Sequence, residues 1–196
     1  MKNIRRYPRA SRVLGMVGAL AASGGSVAWS QAAGGEFQNA AQAQLADLEQ
    51  MRDKFLALAD AFPEETYAWR PMEGVRSVHD VMALFVLECH LFPTMWGFDK
   101  APAAGDGLQA ERARLEPLSK LEMIAEMRSA AAHLMGIVSG LSAEDRARQV
   151  PFFGRTVDLA TAIGLMANDL HEHLGQSIAY ARTNKIVPPW SRPQGQ

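Results

Sequence analysis

Apolar side chains recur every three or four residues in four separate stretches of this chain, and that spacing leaves little choice of fold. Leu45, Leu48, Met51, Phe55, Leu58 and Phe62 form one stripe in a segment running from about Glu36 to Phe62, where Pro63 ends it. Val78, Val81, Met82, Leu84, Phe85, Val86, Leu87 and Cys89 leave a second segment almost no polar face, so it is expected to be the most buried. Ser77 caps it with Asp80 three residues on, and it is expected to run to about Phe92, before Pro93. Leu121, Ile124, Met127, Ala131, Leu134, Val138 and Leu141 are the stripe of a third helix starting near Ser119. A fourth runs from about Asp158 to Thr183. No strand-like alternation of any length, internal repeat or coiled-coil heptad accompanies them. The fold class expected is therefore all-α, a four-helix bundle over residues 37–190, and bundles build ligand sites between facing helices.

The connections carry the breaking residues. Residues 97–118 are rich in Gly, Ala and Pro and are expected to form a long exposed loop. Residues 142–154 are expected to be a turn, and Val187-Pro188-Pro189-Trp190 a non-helical tail.

The first 32 residues read as a removable export signal. Lys2, Arg5, Arg6, Arg9 and Arg12 give a basic start, an apolar stretch follows from Val13 to about Trp29, and Ser30-Gln31-Ala32 matches the small-x-small cleavage pattern. The apolar stretch is short and full of Gly and Ser, which disfavours a permanent membrane span. The expected location is periplasmic or secreted. The segment holds five of the 20 basic residues and none of the 21 acidic ones, so residues 33–196 carry 15 against 21, a net charge of −6. That balance argues against nucleic acid and against anionic lipid surfaces as partners. Cys89 is the single cysteine, so no internal disulfide can form and the fold must rest on its apolar core. Cys89 sits in an apolar run and reads as a small core residue.

Chemistry concentrates in Asn168-Asp169-Leu170-His171-Glu172-His173-Leu174-Gly175-Gln176. Residues four apart share a helix face, so Asp169 and His173 point the same way, with Gln176 and Tyr180 continuing that face. Such a pair can bind one divalent metal, or it can be an Asp–His pair in which the carboxylate fixes the imidazole tautomer. Two ligands do not hold a metal well, so a third must come from another helix. His171 and Glu172 face away and read as solvated surface. His133 lies beside its stripe and has no assigned role. Met82, Met95, Met123, Met127, Met135 and Met166 fit core filling. No Gly-rich phosphate loop, Ser–His–Asp order or Cys-x-x-Cys is present.

His173-Leu174-Gly175-Gln176, followed by Tyr180-Ala181-Arg182 and Val187-Pro188-Pro189-Trp190, resembles the end of a DinB-family protein. Trp69-Arg70-Pro71 with Gly74-Val75-Arg76-Ser77-Val78 resembles the same family's middle. The resemblance spans roughly Phe37 to Trp190. It implies a four-helix bundle, often dimeric, in which many members hold a divalent metal on three histidines, one on helix two and two spaced by four on helix four. Some relatives transfer low-molecular-weight thiols. Carried over residue by residue, His173 matches the last histidine, Asp169 stands in place of the first helix-four histidine, and Leu84 falls where the helix-two histidine is expected. Leu cannot bind a metal. Glu88, one turn beyond Leu84, is the conceivable replacement, and Asp80 lies one turn before it. His79 and His90 point elsewhere by the same spacing. Trp69, Arg70 and Pro71 either line the mouth of the site or staple the loop onto the bundle, the simpler expectation.

The candidate metal ligands are thus His173, Asp169 and Glu88, an oxygen-rich set better suited to Mn, Mg or Fe than to structural zinc, with Ni and Zn worth testing. The simpler expectation is that Glu88 pairs with His173 or Arg76 and that no metal binds. Two functions follow: a metal-assisted enzyme acting on a small molecule, or a binding or scaffold member that kept the bundle and lost the ion. A thiol transferase ranks below both, because an exported protein is awkwardly placed for a cytosolic thiol. The catalytic residues, substrate and reaction cannot be read from the residues.

Overall fold

In the computed structural model of this protein, residues 39–193 are described; the expected export segment lies outside them. Four long helices carry the four stripes: α1 (Ala40–Ala61), α2 (Val78–Met95), α4 (Lys120–Gly140) and α6 (Leu159–Thr183). Between them stand α3 (Leu108–Leu115), α5 (Ala143–Ala147) and a two-stranded antiparallel hairpin, β1 (Gln149–Phe152) and β2 (Arg155–Asp158). Single 3-10 turns occur at Glu64–Thr66 and Pro189–Ser191.

Short polar side chains start each long helix. Asn39 and Asp158 accept from backbone N–H groups inside the first turns of α1 and α6. Ser77 with Asp80, Ser119 with Glu122 and Ser142 with Asp145 close complete capping boxes on α2, α4 and α5. The Ser77–Asp80 box is thus fully formed.

Helix α1 packs against α4 and α6, and α2 packs against the same two helices, so the stripes close on one core. Two residues depart from this: Leu121, expected in the stripe, is 74% exposed in the first turn of α4, and Met95, expected to fill the core, is exposed at the end of α2. Helix α2 buries the largest share of its residues, as its missing polar face requires. The Phe55 and Phe85 rings meet at 4.7 Å between centroids, joining α1 to α2. Tyr67, in the connection after α1, donates its hydroxyl to the Ala59 carbonyl at 2.7 Å and ties that connection back to the helix.

Four sequence expectations are corrected. Pro93 does not end α2: it occupies the last turn, and the helix continues to Met95. Pro93 lacks an N–H, but the turn is held around it, because its carbonyl accepts from the Trp96 and Phe98 N–H groups and Thr94 Oγ1 donates to the Leu91 carbonyl. The chain turns away only at Gly97, whose φ of +86° suits glycine.

The stretch 97–118 is not a bare loop, since α3 lies within it. The stretch 142–154 is more than a turn, holding α5 and most of the hairpin, so a β element is present after all. Phe153 and Gly154, both at positive φ, make the two-residue connection, with Phe152 paired to Arg155. Strands of four residues are too short for their alternation to register. Phe152 stacks on Phe92 at 5.6 Å, closing the end of the bundle. The C-terminal tail makes one 3-10 turn at Pro189–Ser191, where a non-helical tail was expected.

Helix α3 is held by a buried carboxylate that its hydrophobic pattern does not reveal. Glu111 is fully buried and accepts four hydrogen bonds: from His90 Nδ1 at 2.8 Å, from the Gly105 N–H at 2.6 Å, and from Arg114 through Nε at 2.9 Å and Nη2 at 2.7 Å. Arg114 also reaches Glu126 on α4 at 2.9 Å. Burial alone would push the Glu111 carboxyl up, but the bonds from Arg114, Gly105 and His90 outweigh it and hold it at about 2. A Cβ on Gly105 would lie 2.6 Å from the Glu111 backbone nitrogen and 2.7 Å from the Ala110 carbonyl carbon. Backbone atoms cannot swing aside. Gly105→Ala is therefore expected to destabilise by about 1–3 kcal/mol, as overpacking does, in urea denaturation.

Candidate metal centre

Residues 80, 84 and 88 follow one another at four-residue spacing on α2, and residues 169 and 173 do the same on α6. Because α2 and α6 pack together, Glu88 meets the Asp169–His173 pair. His173 Nε2 lies 3.2 Å from Glu88 Oε1 and 3.7 Å from Asp169 Oδ1. One ligand atom from each residue fits within 4.8 Å of the other two, and among the described residues this is the group of that kind. Arg76 is not Glu88's partner; of the two pairings open from sequence, the one with His173 is formed.

Burial falls steeply across the three. The Glu88 side chain is 6% exposed, His173 14% and Asp169 43%, so the site has a buried floor and an open rim. Burial pushes the Glu88 carboxyl up, while the hydrogen bond to Glu88 is the largest influence pushing His173 up. The negative charge of Asp169 acts on both groups in the same upward direction. Glu88 Oε2 is buried and has no hydrogen-bond partner.

This donor set fits a divalent cation. Ligand atoms at about 2.0–2.2 Å from a shared ion stand about 3.0–3.5 Å apart, and the observed 3.2 and 3.7 Å need little adjustment. The uncommitted Oε2 lone pairs supply a further buried oxygen of the kind a hard or borderline ion takes.

The remaining candidates are committed elsewhere. Gln176 Nε2 donates to the Tyr180 hydroxyl at 2.7 Å, and that hydroxyl donates to the Arg76 carbonyl at 2.9 Å. Trp69 meets Tyr180 edge-on at 5.3 Å and Arg70 lies 3.6 Å from Asp80, so these two residues staple the connection onto the bundle. His79 Nε2 bonds the Leu118 carbonyl, and His90 belongs to Glu111. His171 is tied to Asp47 on α1 at 2.9 Å, more engaged than a solvated surface residue. Cys89 is fully buried, and burial pushes its thiol far up, which suits a core residue and not a nucleophile.

Leu84 does not fill the space between Glu88 and His173. It is half-buried and lines a separate cleft between α2 and α3. The Glu111 network escaped the sequence reading, because Glu111 lies in a charged stretch with no apolar period to mark it as buried.

No curated protein matches the chain. Several solved structures do match in fold. A DinB-like protein from Bacillus subtilis shares 16% identity at a TM-score of 0.59, covering 78% of this chain and 99% of its own. A DinB-like protein from Bacillus cereus shares 15% at 0.62, covering 74% and 93%. YfiT from Bacillus subtilis, described as a probable metal-dependent hydrolase with an unusual four-helix bundle topology, shares 12% at 0.57, covering 79% and 94%. Residues 47–177, most of the four-helix unit, match the sequence pattern of the DinB superfamily. The chain belongs to the DinB superfamily.

Proposed function

We propose that this protein is an exported DinB-superfamily member that holds a divalent cation on Glu88, Asp169 and His173 and uses it in a hydrolytic reaction on a small molecule. The observation that carries the reading is the meeting of Glu88 with the Asp169–His173 pair, which restores a third ligand where Leu84 had removed one. The metal-dependent hydrolase description of YfiT supports the class of chemistry. Export rests on the basic start, the apolar stretch and Ser30-Gln31-Ala32. Pairing with a second copy is proposed from the family resemblance alone.

When bound, such an ion supplies Lewis-acid polarisation and an activated water at neutral pH. The chain's own residues do the rest. Glu88 and His173 hold the buried side, and the half-exposed Asp169 leaves the rim open to a ligand. A second reading, a binding member without metal, is favoured by one observation: Glu88 Oε1 and His173 Nε2 already pair at 3.2 Å.

Metal reconstitution separates the two. Purified protein is stripped, then loaded with Mn, Fe, Ni or Zn, and its thermal unfolding followed. At an ion concentration near a hundred times Kd, stabilisation is about 2.7 kcal/mol, a rise of about 5–10 °C for a domain of this size. Asp169→Asn, at the exposed ligand, and His173→Ala should each abolish most of the rise. No rise with any ion, or a rise that survives both substitutions, leaves the binding-protein reading standing.

A further inference from the structure

A cleft of about 310 Å³ lies between α2 and α3. Its floor is aliphatic, built from Ala83, Leu84, Leu87 and Leu115, and its two cations are Arg76 and Arg112. We infer that this cleft binds a small organic anion with an apolar body, its carboxylate on the two guanidinium groups and its chain on the leucines. The inference goes beyond the proposed function, because none of Glu88, Asp169 and His173 lines this cleft.

Charge carries the first part. Among the described residues neither guanidinium has a hydrogen-bond or ion-pair partner. The two carboxylates that also line the cleft, Asp80 and Glu116, form no ion pair with these arginines. The Asp80 carboxylate accepts from the Ser77 N–H at 2.7 Å and stands 3.6 Å from Arg70. Glu116 is exposed, one helical turn from Arg112, where an ion pair is weak. His79 is bonded to the Leu118 carbonyl at 3.1 Å. Two unpaired, exposed guanidinium forks beside an apolar lining can recognise a planar carboxylate.

Position carries the second part. Arg76 walls the cleft and also bears electrostatically on His173, so the anionic end of a ligand would rest on the side facing the metal centre. On α2 the row Asp80, Leu84, Glu88 runs from the cleft to the centre at one-turn steps. Leu84 therefore has a role in place of the lost ligand: it supplies apolar floor where a histidine would put a polar ring. The volume lies at the small end of ligand pockets, enough for a medium-length chain.

The test uses octanoate, its neutral analogue octanamide, and acetate, which lacks the chain. Binding to the purified protein is followed by calorimetry and by amide chemical shifts, with and without the ions named above. Octanoate is expected to bind at least about tenfold more tightly than octanamide or acetate. Arg112→Gln or Arg76→Gln should each weaken it about tenfold, with shifts centred on α2 and α3. Equal binding of octanoate and octanamide, or an affinity unchanged in both arginine variants, overturns the inference. A metal-dependent rise in melting temperature without octanoate binding removes the cleft assignment alone, and octanoate binding without any metal effect removes the metal centre alone.

Discussion

Glu111→Ala is expected to lower the stability of this protein by about 3–5 kcal/mol, more than any surface substitution. Removing one member of a buried charge pair leaves the others in a dry environment without partners. Here three donors are stranded together. His90, 1% exposed, loses its Nδ1 acceptor, the Gly105 N–H loses its carboxylate, and Arg114 keeps only Glu126. Glu111→Gln, which retains one acceptor oxygen and the shape, should cost roughly half as much. Urea denaturation measures both, and a loss under about 1 kcal/mol in the alanine variant would show that water replaces the network.

The same carboxylate contributes to the acid limb of the stability profile. Its folded value of about 2 lies below its ordinary 4.5. A depressed folded value contributes stability that is fully present above the unfolded value and is lost as pH falls through the folded one. The wild-type protein should therefore lose about 2–3 kcal/mol between roughly pH 5 and pH 2 through this group. The Glu111→Gln variant, lacking the titrating group, should show a flatter limb over that window.

The second large effect is expected at the seam of the bundle. Phe55 is fully buried, and its ring meets Phe85 across α1 and α2. Phe55→Ala should destabilise by about 3–5 kcal/mol, because transfer energy is lost and packed neighbours cannot close the cavity. Phe55→Leu, which restores much of the volume, should recover at least half. Equal losses in the two variants would mean that ring geometry, and not filled volume, dominates this contact.

The long helices were legible because the first and third keep apolar residues at a spacing of three or four over about five turns and the second has almost no polar face, and such segments have no other home than a bundle core. Three of their starts were legible too, since Ser77, Ser119 and Asp158 are local caps whose partners lie within the next three residues; the Asn39 cap of α1 was not singled out. Helix α3 was not, because it is one short amphiphilic piece whose buried side holds a glutamate. The hairpin was not, because four-residue strands carry too little pattern; the Phe153–Gly154 turn was the available sign. Pro93 misled because its missing N–H was weighed without the carbonyl and hydroxyl bonds that hold the last turn.

The face bearing Asp169 and His173 was determined by sequence alone, since residues four apart on a helix must share a side. Glu88 could be named only as a conceivable third ligand, because one helix does not specify which face of another it meets. That choice belongs to the packing of α2 on α6, which brings Glu88 Oε1 to 3.2 Å from His173 Nε2 while turning Leu84 toward α3. Local order in this chain follows from short-range spacing and hydrogen bonding; the site and the cleft follow from side chains distant in sequence, whose meeting depends on how whole helices bury their stripes.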